Sequence, residues 1–427
     1  MMWRRLVSEA CEAIGIERDP DELDVVGEPG HLPARLPVED LAIACVGAAL
    51  LATGRRVRLD TGHLAAAMRS EAHLRVGGEV AGSTFAPLSR FWRAADGWVR
   101  THGNYPWHRE ALLRALDADE SAVESVLGRT PSREVEDRVV AAGGIAAAVR
   151  TPQQWAAEGP GRAVAVRPLV GTRRIGDAAP RAGREPVRVL DLTRVIAGPV
   201  CTRYLGALGA DVLRLDPPHR PERPGSQDAL LGKRSAVLDA RTPDGLARLR
   251  ELLDGADVLV HGYRPGALDR FGLGAEELAE RHPGLVVVSL SAWGNTGPWG
   301  DRRGFDSIVQ AASGVSIVES PDGERPGALP CQLLDHGTGY LCAAAVLDGL
   351  RRQAAEGGTW VRELSLARTA HWLLGQPRTA PRERATDPAP WLVRIGDVTA
   401  VAPPGRVDGR PLRWQRPPAY GADEPTW

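Results

Sequence analysis

The chain has 427 residues, with 53 lysines and arginines set against 54 aspartates and glutamates. That length can bury a full core and build two lobes, and the balanced charge argues against a nucleic-acid coat or an acidic solvating tail. No apolar run is long enough to cross a bilayer. Glu9, Glu12 and Glu17 follow the basic start, unlike a signal peptide, and the odd, scattered set Cys11, Cys45, Cys201, Cys331 and Cys342 suits reduced thiols better than disulfides or a zinc site. The expectation is a soluble cytoplasmic protein with no metal, membrane or nucleic-acid partner.

In chain order, residues 41–51 read as an Ala/Leu helix, followed by a strand at 57–59 and a helix at 64–68. Residues 85–155 read as a small α+β unit. Ala95-Asp96-Gly97 turns into a strand there, and Ser132 caps a helix ending near Gly143. These elements make residues 1–171 an N-terminal lobe. Residues 172–186, rich in Arg, Gly, Ala and Pro, read as a linker.

From Val187 onward, short β-branched-rich strands alternate with helices. Strands are expected at 187–191, 211–215, 235–239, 257–260 and 285–290. Pro199 suits a first helical residue, and Thr242-Pro243 suits an N-cap and first residue of a helix running to Gly255. This alternation predicts an α/β fold: an open, parallel, doubly wound Rossmann-like core over 187–375, with a smaller α+β lobe. Residues 376–427 form a Pro/Arg-rich tail with weak strand signals. A helix–strand–helix pattern occurs twice, once after Leu36-Pro37 and once after Leu329-Pro330. It suggests an internal repeat.

Three segments carry residues suited to chemistry. Thr193-Arg194-Val195-Ile196-Ala197-Gly198-Pro199 follows the first core strand, where ligands of open α/β sheets bind; an ordinary strand-to-helix turn would read the same way. It lacks the Gly-x-Gly-x-x-Gly fingerprint, which disfavours a nicotinamide enzyme. Lys233, the only lysine of the chain, stands beside Arg234. The pair suits the phosphates of a nucleotide-like ligand, or else is a solvated loop pair. Asp335, in Leu334-Asp335-His336-Gly337-Thr338-Gly339, heads a long apolar helix as an N-cap or as a nucleophile.

Taken together, these segments resemble family III CoA-transferases. The resemblance runs from Val189-Leu190-Asp191-Leu192-Thr193-Arg194-Val195-Ile196-Ala197-Gly198-Pro199 through Leu208-Gly209-Ala210-Asp211 and Gly232-Lys233-Arg234-Ser235. It continues through Tyr263-Arg264-Pro265-Gly266, Arg270-Phe271-Gly272, Gly294-Asn295-Thr296-Gly297-Pro298 and Gly304-Phe305-Asp306 to the Asp335 segment. The resemblance implies that Asp335 is a catalytic nucleophile moving CoA between an acyl-CoA and a small carboxylic acid. It further implies that Val195, Ile196, Ala197, Lys233, Arg234, Tyr263, Arg270 and Phe271 hold CoA, and that Gly337 and Gly339 make room for substrate. CoA thioester is then a substrate, no tightly bound cofactor is needed, and a homodimer, interlaced in this family, is expected.

The chain departs from the family pattern in several places. His261-Gly262 replaces a common Glu-Asn, and Asp216-Pro217 lacks a basic residue that some members carry. Material resembling the family's second half lies upstream, at about 57–180, so the segment order is rearranged. Glu39 or Asp40 falls near the place of Asp335 in the first repeat copy, without the glycines, and is not expected to form a second site. An acyl-CoA racemase of the same superfamily is an alternative, but the position of its histidine is Phe305, which cannot transfer a proton, and His336 would have to substitute. An inactive CoA-binding or scaffold protein is another.

Overall fold

The computed structural model describes residues 1–81, 85–223, 225–417 and 419–427. Two helices of the N-terminal part, α1 (Met2–Ile14) and α2 (Val38–Leu51), bury their apolar residues in the main core. Almost every residue of α2 is buried, as expected for a helix that is apolar all round.

The seven-stranded sheet contains β1 (Gly171–Ile175), β2 (Arg188–Leu192), β3 (Asp211–Asp216), β4 (Arg234–Val237), β5 (Val258–His261), β6 (Val286–Ser291) and β7 (Thr359–Ser365). Their spatial order is β4-β3-β2-β5-β6-β7-β1, parallel throughout except for the antiparallel edge strand β1. Leu190 of β2 lies between Leu213 of β3 and Leu259 of β5, so these near-continuous apolar strands are covered on both faces. Helix α3 (Ala197–Ala207) and the long helix α4 (Leu333–Glu356) cover one face and pack on each other, and α2 packs on α4. Thr242 Oγ1 accepts from Gly245 N at 3.1 Å, which is the expected cap.

The repeat is real as structure. Helix, strand and helix recur at Val38–Leu51, Val57–Asp60 and Thr61–Ala67, and again at α4, β7 and Leu366–Leu374. In each copy the strand hands over to its second helix through a side-chain cap. Asp60 accepts from His63 N at 2.9 Å, and Ser365 Oγ accepts from Arg368 N at 3.3 Å.

The domain boundaries need correction. The first four residues of the expected linker, 172–175, lie in strand β1, hydrogen-bonded to β7. The N-terminal lobe is not one body: α1 and α2 share a hydrophobic core with α3, α4 and the sheet. The separate small core is built from residues 88–146, around Trp92, Val99, Leu112, Leu127 and Val139. The tail is also structural. Val398–Val401 pairs with Arg75–Val76, Arg406–Val407 pairs with Val57–Asp60, and Asp423 exchanges backbone and side-chain hydrogen bonds with Ser235 along edge strand β4. Ser132 does not cap its helix; Asp96 Oδ1 accepts from Ser132 N at 2.7 Å instead. Pro199 is the third residue of α3, not the first.

Helices α2 and α4, apolar nearly all round, are covered within one chain, so their composition gives no reason of its own to expect pairing of two chains. Among the described residues, no helix is long and apolar enough to cross a membrane.

Candidate active site

Strand order reverses between β2 and β5, the place where open α/β sheets leave a crevice beyond their carboxyl ends. The loops after these two strands form facing walls: Thr193 to Gly198 on one side, Gly262 to Ala267 and Arg270 on the other. The first loop is anchored from below. The Asp191 carboxylate accepts from Thr193 N at 2.8 Å, Thr193 Oγ1 at 2.5 Å, Thr202 Oγ1 at 2.6 Å and Lys233 Nζ at 2.9 Å. At the loop's crest Val195 has φ +70°, a left-handed conformation that costs a β-branched residue of order 1–3 kcal/mol. Glu222 accepts from Arg214 at 2.9 Å and from the Tyr105 hydroxyl at 2.6 Å. Burial pushes Glu222 upward, but Arg214 and Arg194 outweigh it and hold the carboxyl at about 2.

Asp335 is the third residue of α4, and its carboxylate caps nothing. The carboxylate that serves the helix start is Asp306, which accepts from Asp335 N at 3.1 Å and from Gln310 Nε2. This removes the N-cap reading of Asp335. Burial, then the charges of Asp306 and Glu71, holds the Asp335 carboxyl well above the usual range. Burial likewise pushes Asp306 up to about 6. His336 is fully buried, with Nε2 3.1 Å from Glu71 Oε2, and lines neither chamber described below, so it does not stand in as a second acid or base.

Asp335 sits where two spaces meet. An outer cleft of about 1580 Å³, counting its open mouth, is lined by Val195, Ile196, Ala197, Tyr263 and Asp335. It also carries six arginines: Arg194, Arg220, Arg264, Arg270, Arg302 and Arg303. An inner chamber of about 830 Å³, counting its open mouth, lies on the other side. The two share Tyr105, Val195, Ile196, Phe305 and Asp335. A cationic cleft leading to a carboxyl shielded from water suits a polyanionic ligand whose reactive end must reach that carboxyl.

The structure brings together Asp335, Val195, Ile196, Ala197, Tyr263 and Arg270 of the expected site residues. It does not bring the other five. Lys233 is a core residue: its ammonium is fully buried against Asp191, burial pushes it down to about 8, and it reaches neither space. Arg234 lies at the opposite, amino-terminal end of the strands, paired with Asp211 at 2.9 Å beside Trp427. Phe271 packs on the second core cluster under Arg270. Gly337 and Gly339 are packing positions rather than substrate positions. A Cβ on Gly339 would overlap the Ala197 carbonyl oxygen and lie 2.9 Å from Val200 Cβ, and one on Gly337 would lie 3.2 Å from Cys45 Sγ. They let α4 approach α3 and α2.

Several lining residues escaped the sequence reading because they belong to the upstream lobe. His102, Asn104, Tyr105, Trp107 and His108 close over the crevice, and Arg220 stacks on Trp107 at 4.4 Å. The local signal was the dense run His102-Gly103-Asn104-Tyr105-Pro106-Trp107-His108.

Residues 185–391 match the model of CoA-transferase family III. The chain is 31% identical over 308 residues to an acyl-CoA transferase of Gibberella moniliformis, covering 63% of this chain and 53% of that one. It is 32% identical to a probable fatty acyl-CoA transferase of Mycobacterium tuberculosis, over 51% of this chain and 60% of that one. The chain thus spans between half and two thirds of these relatives' length. A solved CAIB/BAIF family protein from Brucella suis is 26% identical, with a TM-score of 0.42, over 51% of this chain and 65% of that one.

Proposed function

We propose that the chain, whose residues 185–391 match the model of CoA-transferase family III, moves CoA between an acyl-CoA and a carboxylic acid through Asp335. One observation carries this reading: a buried carboxyl, capping nothing and held above its usual range, stands at the junction of an arginine-lined cleft and a second, narrower chamber. The outer cleft takes the CoA moiety, with Arg264, Arg270, Arg302 and Arg303 facing its phosphates and Tyr263 and the Val195–Ala197 loop lining the path of the thiol arm.

In this reading the Asp335 carboxylate attacks the thioester carbonyl, breaking the C–S bond to leave a mixed anhydride and CoA thiolate. The thiolate attacks the aspartyl carbonyl and releases the donor carboxylate, leaving an aspartyl-CoA thioester. The acceptor carboxylate displaces thiolate from that thioester, giving a second anhydride. Attack of thiolate on the acceptor's acyl carbon frees the new acyl-CoA and restores Asp335. Burial protects both anhydrides from water. The raised proton affinity of Asp335 makes its carboxylate a better nucleophile once deprotonated.

The test is to incubate the full chain with an acyl-CoA, quench with hydroxylamine and map the hydroxamate by peptide mass spectrometry. The adduct is expected on Asp335, and CoA transfer without any adduct there would overturn the assignment. The expected homodimer rests on the resemblance alone; light scattering giving the mass of a single chain would remove it.

One observation favours the racemase alternative. His102, kept neutral by burial and by neighbouring His108 and Arg100, stacks on Phe305 at 3.9 Å and lines the inner chamber. Deuterium uptake at the α-carbon of an acyl-CoA, abolished by His102→Ala, would support it; its absence would leave transfer as the activity.

A further inference from the structure

The inner chamber has more hydrogen-bonding capacity than the protein uses. Its walls include the buried ring of His102, whose Nδ1 has no partner among the described residues, and Ser307, whose buried Oγ has none either. Gln332 also lines it; this is the residue before α4, yet its amide caps nothing. The ion-paired groups here are committed elsewhere. Glu71 is held by His336, Asp228 by Arg203, and Glu222 by Arg214 and Tyr105. These pairs also fix the far wall, because Arg203 NH2 donates to Ser70 Oγ at 2.9 Å and Ser70 Oγ donates to Asp228 Oδ2 at 2.9 Å. The apolar part of its lining comes from Phe85, Val195, Ile196, Pro199, Val200, Ala229 and Phe305, and most of the rest is polar or charged.

A long alkyl chain entering this space would be pressed against ionised side chains and would strip water from His102, Ser307 and Gln332 without replacing it. A short acyl group would put its first carbons on Phe85, Ile196, Val200 and Phe305 and present a polar end to the unused donors and acceptors. We propose that the inner chamber selects a short acyl group with a polar end, and that His102, Ser307 and Gln332 read that end. This rests on the reading of Asp335 as the acyl-accepting carboxylate.

The test compares butyryl-CoA, 3-hydroxybutyryl-CoA, succinyl-CoA and palmitoyl-CoA as donors with the full chain and one common acceptor, and measures the affinity of each thioester for Asp335→Asn by calorimetry. A site that hydrogen-bonds a substrate group rejects the analogue lacking it steeply. Both polar four-carbon donors are therefore expected to exceed palmitoyl-CoA in kcat/KM by about a hundredfold or more, and butyryl-CoA by about tenfold. In Gln332→Leu the gap in kcat/KM between the polar donors and butyryl-CoA should narrow. Palmitoyl-CoA equal to or better than the polar donors, or a gap unmoved in Gln332→Leu, overturns the proposal. If no thioester is turned over but the affinities follow the expected order, the transferase reading fails and the chamber assignment stands.

Discussion

Replacing Lys233 with Met separates a core role from a ligand role. Lys233 Nζ lies 2.9 Å from Asp191 Oδ2, and both side chains are fully buried. Removing the cation leaves a buried carboxylate facing only the two threonines and the more distant Arg214. Breaking one side of such a pair costs about 3–5 kcal/mol. At about 2.1 cal/mol/K per residue, a chain this long has an unfolding entropy near 0.9 kcal/mol/K, so the melting temperature should fall by about 3–6 °C. CoA affinity of the folded variant should stay within about twofold, because the ammonium lines neither space.

The pH dependence has a definite sign. In the native chain burial would raise Asp191, but Lys233 and Arg214 hold it below its ordinary value. Its contribution is therefore present above the unfolded carboxylate range and lost as pH falls through the lowered value. In Lys233→Met burial is no longer opposed by the ammonium, Asp191 takes up a proton on acidification, and the gap between variant and native chain closes. Adding Asp191→Asn, which keeps an acceptor for Thr193 N, should recover most of the lost stability. Calorimetric melting and CoA titration on the same samples check both arms. An unchanged melting temperature with CoA affinity lowered tenfold or more would refute the core assignment.

Asp335→Asn should abolish turnover while the melting temperature stays within a few degrees, since the hydrogen bond from its backbone N–H to Asp306 remains; full turnover would exclude the nucleophile. Turnover should rise with pH above the usual carboxylate range because Asp335 must lose its proton, and Glu71→Gln, which removes a nearby negative charge, should move the rising limb to lower pH. An unshifted limb would exclude the coupling. Gly339→Ala should destabilise by about 1–3 kcal/mol through overlap with Ala197 and Val200, measured by denaturant unfolding. Arg270→Ala should weaken CoA by about 1–3 kcal/mol, with a smaller salt dependence than the native chain by calorimetry.

The parallel core was legible because its signals are local. Apolar strands such as Val286–Ser291, the cap at Thr242 and the stop at Gly255 act over a few residues, and the structure moves their bounds by one or two positions. The place of Asp335 and of the Val195–Ala197 loop in the crevice was legible for a related reason: residues at the carboxyl end of a strand or the start of a helix leave a contiguous motif. Lys233 was misread because a motif records a residue's type and not the direction of its side chain. Four carbons of stem carry that ammonium under α3 to Asp191, a partner 42 residues away in the chain. Gly337 and Gly339 were misread because the absence of a side chain suits a ligand and a neighbouring helix equally, and only the position of Ala197 and Val200 decides between them. The closure of the crevice by His102, Tyr105 and Trp107 had no local record. It depends on how the core of residues 88–146 docks against the sheet, and docking is set by surfaces far apart in the chain.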